Sequence, residues 1–203
     1  MELSIKNNKL VAHFQAEQEI KAKKIGGEKD PVIAAWGAEH PETMLFGFLD
    51  SFVEICERNN IEFDLTYNTI KNLGIGLVAL YQTQKNSYDQ KTNVEIIAKT
   101  IATVLSYLAV NEHGCWFRTT SYLAQVKAGK APKQPLWADV FEIAVGRKNN
   151  YIDFRASALE SVTIGSVMSP SGLSLQVAPV VAKYKKLTGV NLAEYGLGNT
   201  FAN

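Results

Sequence analysis

TNVEIIAKTIATVLSYLAVNEHG, residues 92–114, is the stretch that decides the fold. Val94, Ile97, Ala98, Ile101, Val104, Leu105 and Leu108 recur at helical spacing, uninterrupted by proline or glycine. Thr92 and Glu95 have the T-x-x-E spacing of a capping box, in which each side chain satisfies a free amide at the helix start. Gly114 can take the left-handed conformation that closes a helix. Ile96, Tyr107 and Val110 widen the apolar stripe, leaving mainly Glu95, Lys99, Thr103 and Ser106 for water. A helix this apolar belongs at the centre of a fold, covered by its neighbours.

Shorter helical patterns flank it. Pro41 and Glu42 suit a first helical turn. Leu45, Phe48, Leu49, Phe52, Val53 and Cys56 then make one apolar face, stopped by Arg58-Asn59-Asn60. Asp64 or Thr66 caps a second helix with face Tyr67, Ile70, Leu73, Leu77 and Leu80, and a polar link, 82–91, leads to the central one. Downstream the spacing predicts helices over 116–126, 136–145 (ending at Gly146) and 150–164. Ser169-Pro170-Ser171-Gly172 reads as a turn, Leu173, Leu175 and Val177 alternate as a short strand, and Pro179 opens a helix closing at Gly189. At the front, Leu3/Ile5 and Leu10/Phe14 alternate around Asn7-Asn8, the pattern of a short hairpin. A polar, helix-prone stretch, 15–24, follows.

The predicted fold class is therefore mainly α, an irregular bundle of about six helices with a short N-terminal β-hairpin and extended terminal arms. It divides into an arm with its hairpin (1–30), a helical core domain (31–190) and a loose tail (191–203).

With 203 residues, 46% hydrophobic and 20% charged, the composition is that of an ordinary globular protein. A chain of this length buries a core without help from disulfides or metals. Cys56 and Cys115 are too few for a disulfide framework. There is no basic-then-apolar leader, and no apolar run approaches the ~20 residues of a membrane span. The expectation is an intracellular, soluble protein or a virion component, with no membrane partner. Charge is uneven along the chain. Residues 1–30 carry six Lys against five acids, 31–117 five Lys and Arg against ten acids, and 118–203 ten against five. Such a split favours charged partners, or copies of the chain meeting acidic face to basic face. The alternative is attraction between the two halves within one fold.

Catalytic signals are weak. Gly74-Ile75-Gly76-Leu77-Val78-Ala79 fits G-x-G-x-x-A, but a dinucleotide site needs a preceding strand within a βαβ unit, and Tyr67 to Leu73 reads as helix. Close helix packing over small residues explains the motif better. His113-Gly114-Cys115 lacks the paired spacing of a zinc site. His113 reads as a helix-end residue favourable to the dipole, and Cys115 as a small buried hydrophobe. A Cys115 nucleophile would need a base such as His13 or His40 brought near by folding. Asp50 and Glu54, four apart, are an ordinary exposed acidic pair. No cofactor and no metal are expected, and an enzyme is the least favoured class.

The basic segment offers more. Arg118, Lys127, Lys130, Lys133, Arg147, Lys148 and Arg155 are interspersed with Trp116, Tyr122, Trp137, Tyr151 and Phe154. Cations that neutralise phosphates beside rings that stack on unpaired bases suit a single-stranded nucleic acid, although the rings also fit helical core faces. Lys183, Lys185 and Lys186 form a second cluster, readable as the wet face of a helix. The expected function is non-enzymatic self-assembly into an oligomer or filament, packaging single-stranded nucleic acid as viral coat proteins and nucleoproteins do, by analogy of design. The alternatives are a small helical regulatory protein acting on another protein, and third an enzyme.

Overall fold

The computed structural model describes residues 41–118, 144–147, 150–165, 171–198 and 200–201. The predicted N-terminal hairpin and arm lie outside them. Among the described residues the chain is mainly helical, with five α-helices and two small antiparallel sheets. The helices are α1 (Pro41–Arg58), α2 (Leu73–Gln84), α3 (Gln90–His113), α4 (Phe154–Ser161) and α5 (Ala178–Thr188).

The central helix is α3. It begins two residues before the predicted Thr92, because the Asp89 carboxylate accepts from the Thr92 amide at 2.7 Å and caps it. Asp89 therefore replaces the predicted Thr92–Glu95 box. An acid here also faces the positive end of the helix dipole. Gly114 closes the helix in the left-handed region (φ 60°), as its position predicts. Ile97, Ala98, Ile101, Ala102, Val104, Leu105, Leu108 and Ala109 are all fully buried.

The side predicted to meet water is covered too: Lys99, Thr103 and Ser106 are buried. The cause is α4, whose Arg155 lies 3.8 Å from Glu95. Lys99 and Ser106 follow Glu95 on the same side of the helix, at i+4 and i+11. By length and composition α3 also qualifies as a membrane-crossing helix, contrary to the reading of the sequence. Its most apolar window is 76% buried inside the fold, and that burial accounts for its hydropathy.

Helix α1 packs on α2 and α3, with Leu49, Phe52, Val53 and Cys56 buried as their spacing predicts. The second predicted helix starts later than Asp64 or Thr66. Residues 61–69 form a turn, a 3-10 segment (Ile70–Asn72) follows, and α2 begins only at Leu73. Asp64 organises the turn: its Oδ1 accepts from the Thr66 amide (3.1 Å) and from the Thr66 and Thr69 hydroxyls (both 2.6 Å). Leu65 has φ 62°, holding its buried side chain inward from a left-handed backbone. The carboxylate's slight burial acts against ionisation, but these hydrogen bonds dominate and hold Asp64 below its ordinary value. A lowered folded pKa stabilises above the unfolded value and is lost as pH falls through the folded one. Asp64→Asn is therefore expected to cost about 1 kcal/mol near pH 7, a modest figure because the carboxylate meets water. Denaturant titrations at neutral and acid pH should converge below the folded pKa. A deficit independent of pH would contradict this assignment.

Beyond α3 the structure departs from the predicted helices. Strands β1 (Trp116–Arg118), β2 (Ala144–Arg147) and β3 (Asn150–Asp153) form an antiparallel sheet in sequence order, with Trp116 opposite Gly146 and Arg147 opposite Asn150. Helix therefore occupies only 154–161 of the predicted 150–164. Strand β4 (Val162–Ile164) then pairs with β5 (Leu173–Leu175), which pairs with β6 (Thr200–Phe201). Apolar runs of three or four residues have no readable period, so long-range pairing decides them. The remainder of the predicted 116–126 and 136–145 helices lies outside the described residues.

Helix α5 matches its prediction, with Pro179 in the first turn and Gly189 (φ 85°) at its close. Residues 191–198, predicted to be loose, are held down. Asn191 caps a 3-10 turn (Leu192–Tyr195), while Leu192 and Leu197 join the common core.

Candidate assembly and nucleic-acid surfaces

Of the seven predicted site residues, Lys127, Lys130, Lys133 and Lys148 lie outside the described residues. The sheet brings position 118 opposite 144 and position 147 opposite 150, so Arg118 and Arg147 belong to one three-stranded ladder. Three steps separate them along it, and their positions have opposite parity. Arg155 begins α4 immediately after β3. It is 23% exposed and pairs with Glu95 at 3.8 Å, so part of its charge is already balanced within the fold.

The second basic cluster stands differently. Lys185 and Lys186 are exposed on α5 and Lys183 is half-exposed. Among the described residues, none of the three forms an ion pair. The acidic elements lie elsewhere. Glu54 and Glu57 on α1, with Glu62 and Asp64 in the following turn, are exposed, and Glu54 pairs with Arg58. Helix α3 packs against both α1 and α5, whereas those two have no comparable packing with each other. The acidic and basic helices thus present their charges on separate surfaces.

A cluster that the sequence did not signal surrounds the C-terminal end of α3. The Tyr67 hydroxyl lies 2.5 Å from His113 Nε2 and 2.6 Å from the Tyr184 hydroxyl. All three groups are satisfied if Tyr184 donates to Tyr67 and Tyr67 donates to a neutral His113. Tyr195 stacks on Tyr67 with ring centroids 4.8 Å apart, and Phe154 packs against Tyr184 at 5.9 Å. Burial pushes the Tyr67 and Tyr184 phenols up, and Glu112 adds to the shift of both. His113 thus closes a cross-link between the 61–69 turn, α3 and α5, beyond its predicted place at a helix end. The partners are 46 and 117 residues apart in the chain, so no local pattern could have found them.

These residues can hold a proton among themselves, but neither of two surface grooves on the protein opens onto them. One groove, about 400 Å³, lies between α5 and the 191–198 segment; the other, about 570 Å³, lies between the start of α3 and Leu159. Cys56 is fully buried, and desolvation, aided by Glu57, pushes its thiol up to about 11, the reverse of an activated nucleophile. Gly76 of the G-x-G-x-x-A motif sits inside a helix against Phe52 and Cys56, in the packing role read from the sequence. Among the described residues no three His, Cys, Asp or Glu side chains group to hold a metal. No protein-family model, no curated protein and no solved structure matches this chain.

Proposed function

We propose that the chain is a non-enzymatic assembly protein whose copies associate head to tail, acidic face to basic face, with the basic face also meeting single-stranded nucleic acid. The observation that carries this reading is the separation of charge: the lysines of α5 have no carboxylate partner among the described residues, while the acids of α1 lie across α3 from them. Heterologous contacts of this kind propagate into rings or filaments, and complementary potentials steer them. Arg118 and Arg147 on the β1–β2 ladder extend the cationic inventory, whereas the contribution of Arg155 is reduced by Glu95.

Light scattering and negative-stain microscopy at low and high salt, with and without single-stranded RNA, test the proposal. The expected result is species that grow at low ionic strength and dissolve as salt rises. Monodisperse monomers under every condition would overturn it. For RNA, Lys183→Ala with Lys186→Ala is expected to flatten the slope of log affinity against log salt by about one unit. An unchanged slope with an intact fold would remove α5 from the nucleic-acid surface.

A further inference from the structure

The groove between α5 and the 191–198 segment is built differently from the wet side of an ordinary amphipathic helix. Val177, Val181 and Leu197, all buried, form its floor. Ala178, Ala182 and Ala193 line it from exposed positions, where polar side chains are the norm. Lys185 stands at its edge, one turn beyond Val181. This is an apolar trough of about 400 Å³ with a positive rim.

Its chemical complement occurs once in the N-terminal forty residues. Residues 10–20, LVAHFQAEQEI, combine Leu10 and Phe14 with Glu17 and Glu19 and contain no cation other than a protonatable His13. Phe14 and Glu17 are three apart, a spacing that sets a ring and a carboxylate side by side on a bound helix. Resting on the head-to-tail reading above, we infer that this groove receives residues 10–20 of a second copy, with Leu10 and Phe14 against the floor and Glu17 beside Lys185. The twenty residues between Ile20 and Pro41 span up to about 66 Å when extended, enough to reach a neighbour. The seat is provided by α5, the helix whose lysines form the basic face, so one contact joins apolar burial to charge pairing.

The test is complementation between two full-length variants. Ala182→Trp fills the groove from an exposed position, with Ala178→Lys as a second blocking variant, and circular dichroism checks each fold. Phe14→Ser with Glu17→Lys disables the segment. Each variant alone should self-associate at least tenfold more weakly than the unaltered chain. An equimolar mixture of a groove-blocked and a segment-disabled variant should sediment as a dimer that grows no further, since one copy supplies the only working segment and the other the only open groove. Assembly by both blocked variants as strong as that of the unaltered chain would overturn this inference and leave the head-to-tail reading standing. A mixture that stays monomeric would also overturn it, because the segment then seats in its own copy or not at all. Failure of the unaltered chain to assemble would remove both.

Discussion

Gly76→Leu is expected to destabilise the fold by about 3 kcal/mol or more, at the upper end of what overpacking costs. An ideal Cβ at Gly76 would sit 2.8 Å from Cys56 Sγ and 2.9 Å from Phe52 Cζ, closer than real contacts allow. Neither neighbour yields easily. Both are buried, and Phe52 is held edge-on against Phe63 with centroids 5.3 Å apart. Gly76→Ala separates two opposing effects. Replacing a mid-helix glycine by alanine favours the helix by roughly 1 kcal/mol, while the forced separation of α1 and α2 costs more, leaving a net loss of about 1 kcal/mol. Urea denaturation reads both as a lower midpoint at constant slope. A Gly76→Leu protein as stable as the original would show that α1 and α2 have room to part. The same measurement bears on the glycine motif, since a packing glycine fails through stability with no ligand present.

Tyr184→Ala is expected to cost about 3–5 kcal/mol, the range for emptying a large aromatic site. Tyr184 is fully buried, packed on Phe154 and edge-on to Tyr67 and His113. Tyr184→Phe isolates the hydroxyl: the ring stays, Tyr67 keeps His113, and the cost falls to about 1 kcal/mol. Tyr67→Phe strands both Tyr184 and His113 Nε2 and should cost about 2 kcal/mol. This order, Tyr184→Ala, then Tyr67→Phe, then Tyr184→Phe, is the signature of a cross-link centred on Tyr67. Equal losses for the two Tyr→Phe variants would refute it. The pH dependence has a definite sign. A phenol whose folded pKa is raised contributes stability that is complete below its unfolded value, near 10, and lost as pH climbs from there toward the folded one. Tyr184→Phe should therefore flatten the alkaline limb of a stability profile and leave the neutral region parallel.

Local chemistry made some elements legible and left others dark. Helix α3 was readable because its apolar residues repeat over six turns and Gly114 ends them. Helix α5 was readable because Pro179 and Gly189 mark its two ends. The start of α3 was misread by two residues: Asp89 and Thr92 are both good caps, and the carboxylate wins by accepting from the Thr92 amide itself. The β1–β2–β3 sheet was not legible, because its strands are three or four residues long and at least twenty-five residues separate β1 from β2. For the candidate surfaces, the lysines of α5 were visible as a wet face. Their lack of partners, and the apolar trough beside them, came only from the packing of the 191–198 segment against α5.

The order of residues alone determined that this chain builds around one long apolar helix, that a second helix runs from Pro179 to Gly189, and that negative charge precedes positive charge along it. Those properties are set by neighbours three and four positions away, or by simple addition. Tertiary structure decided which polar face of α3 would be dry, where the strands pair, and how Tyr67, His113 and Tyr184 meet. Each of these depends on contacts between residues far apart in the chain, whose closure free energy is met only by the assembled core.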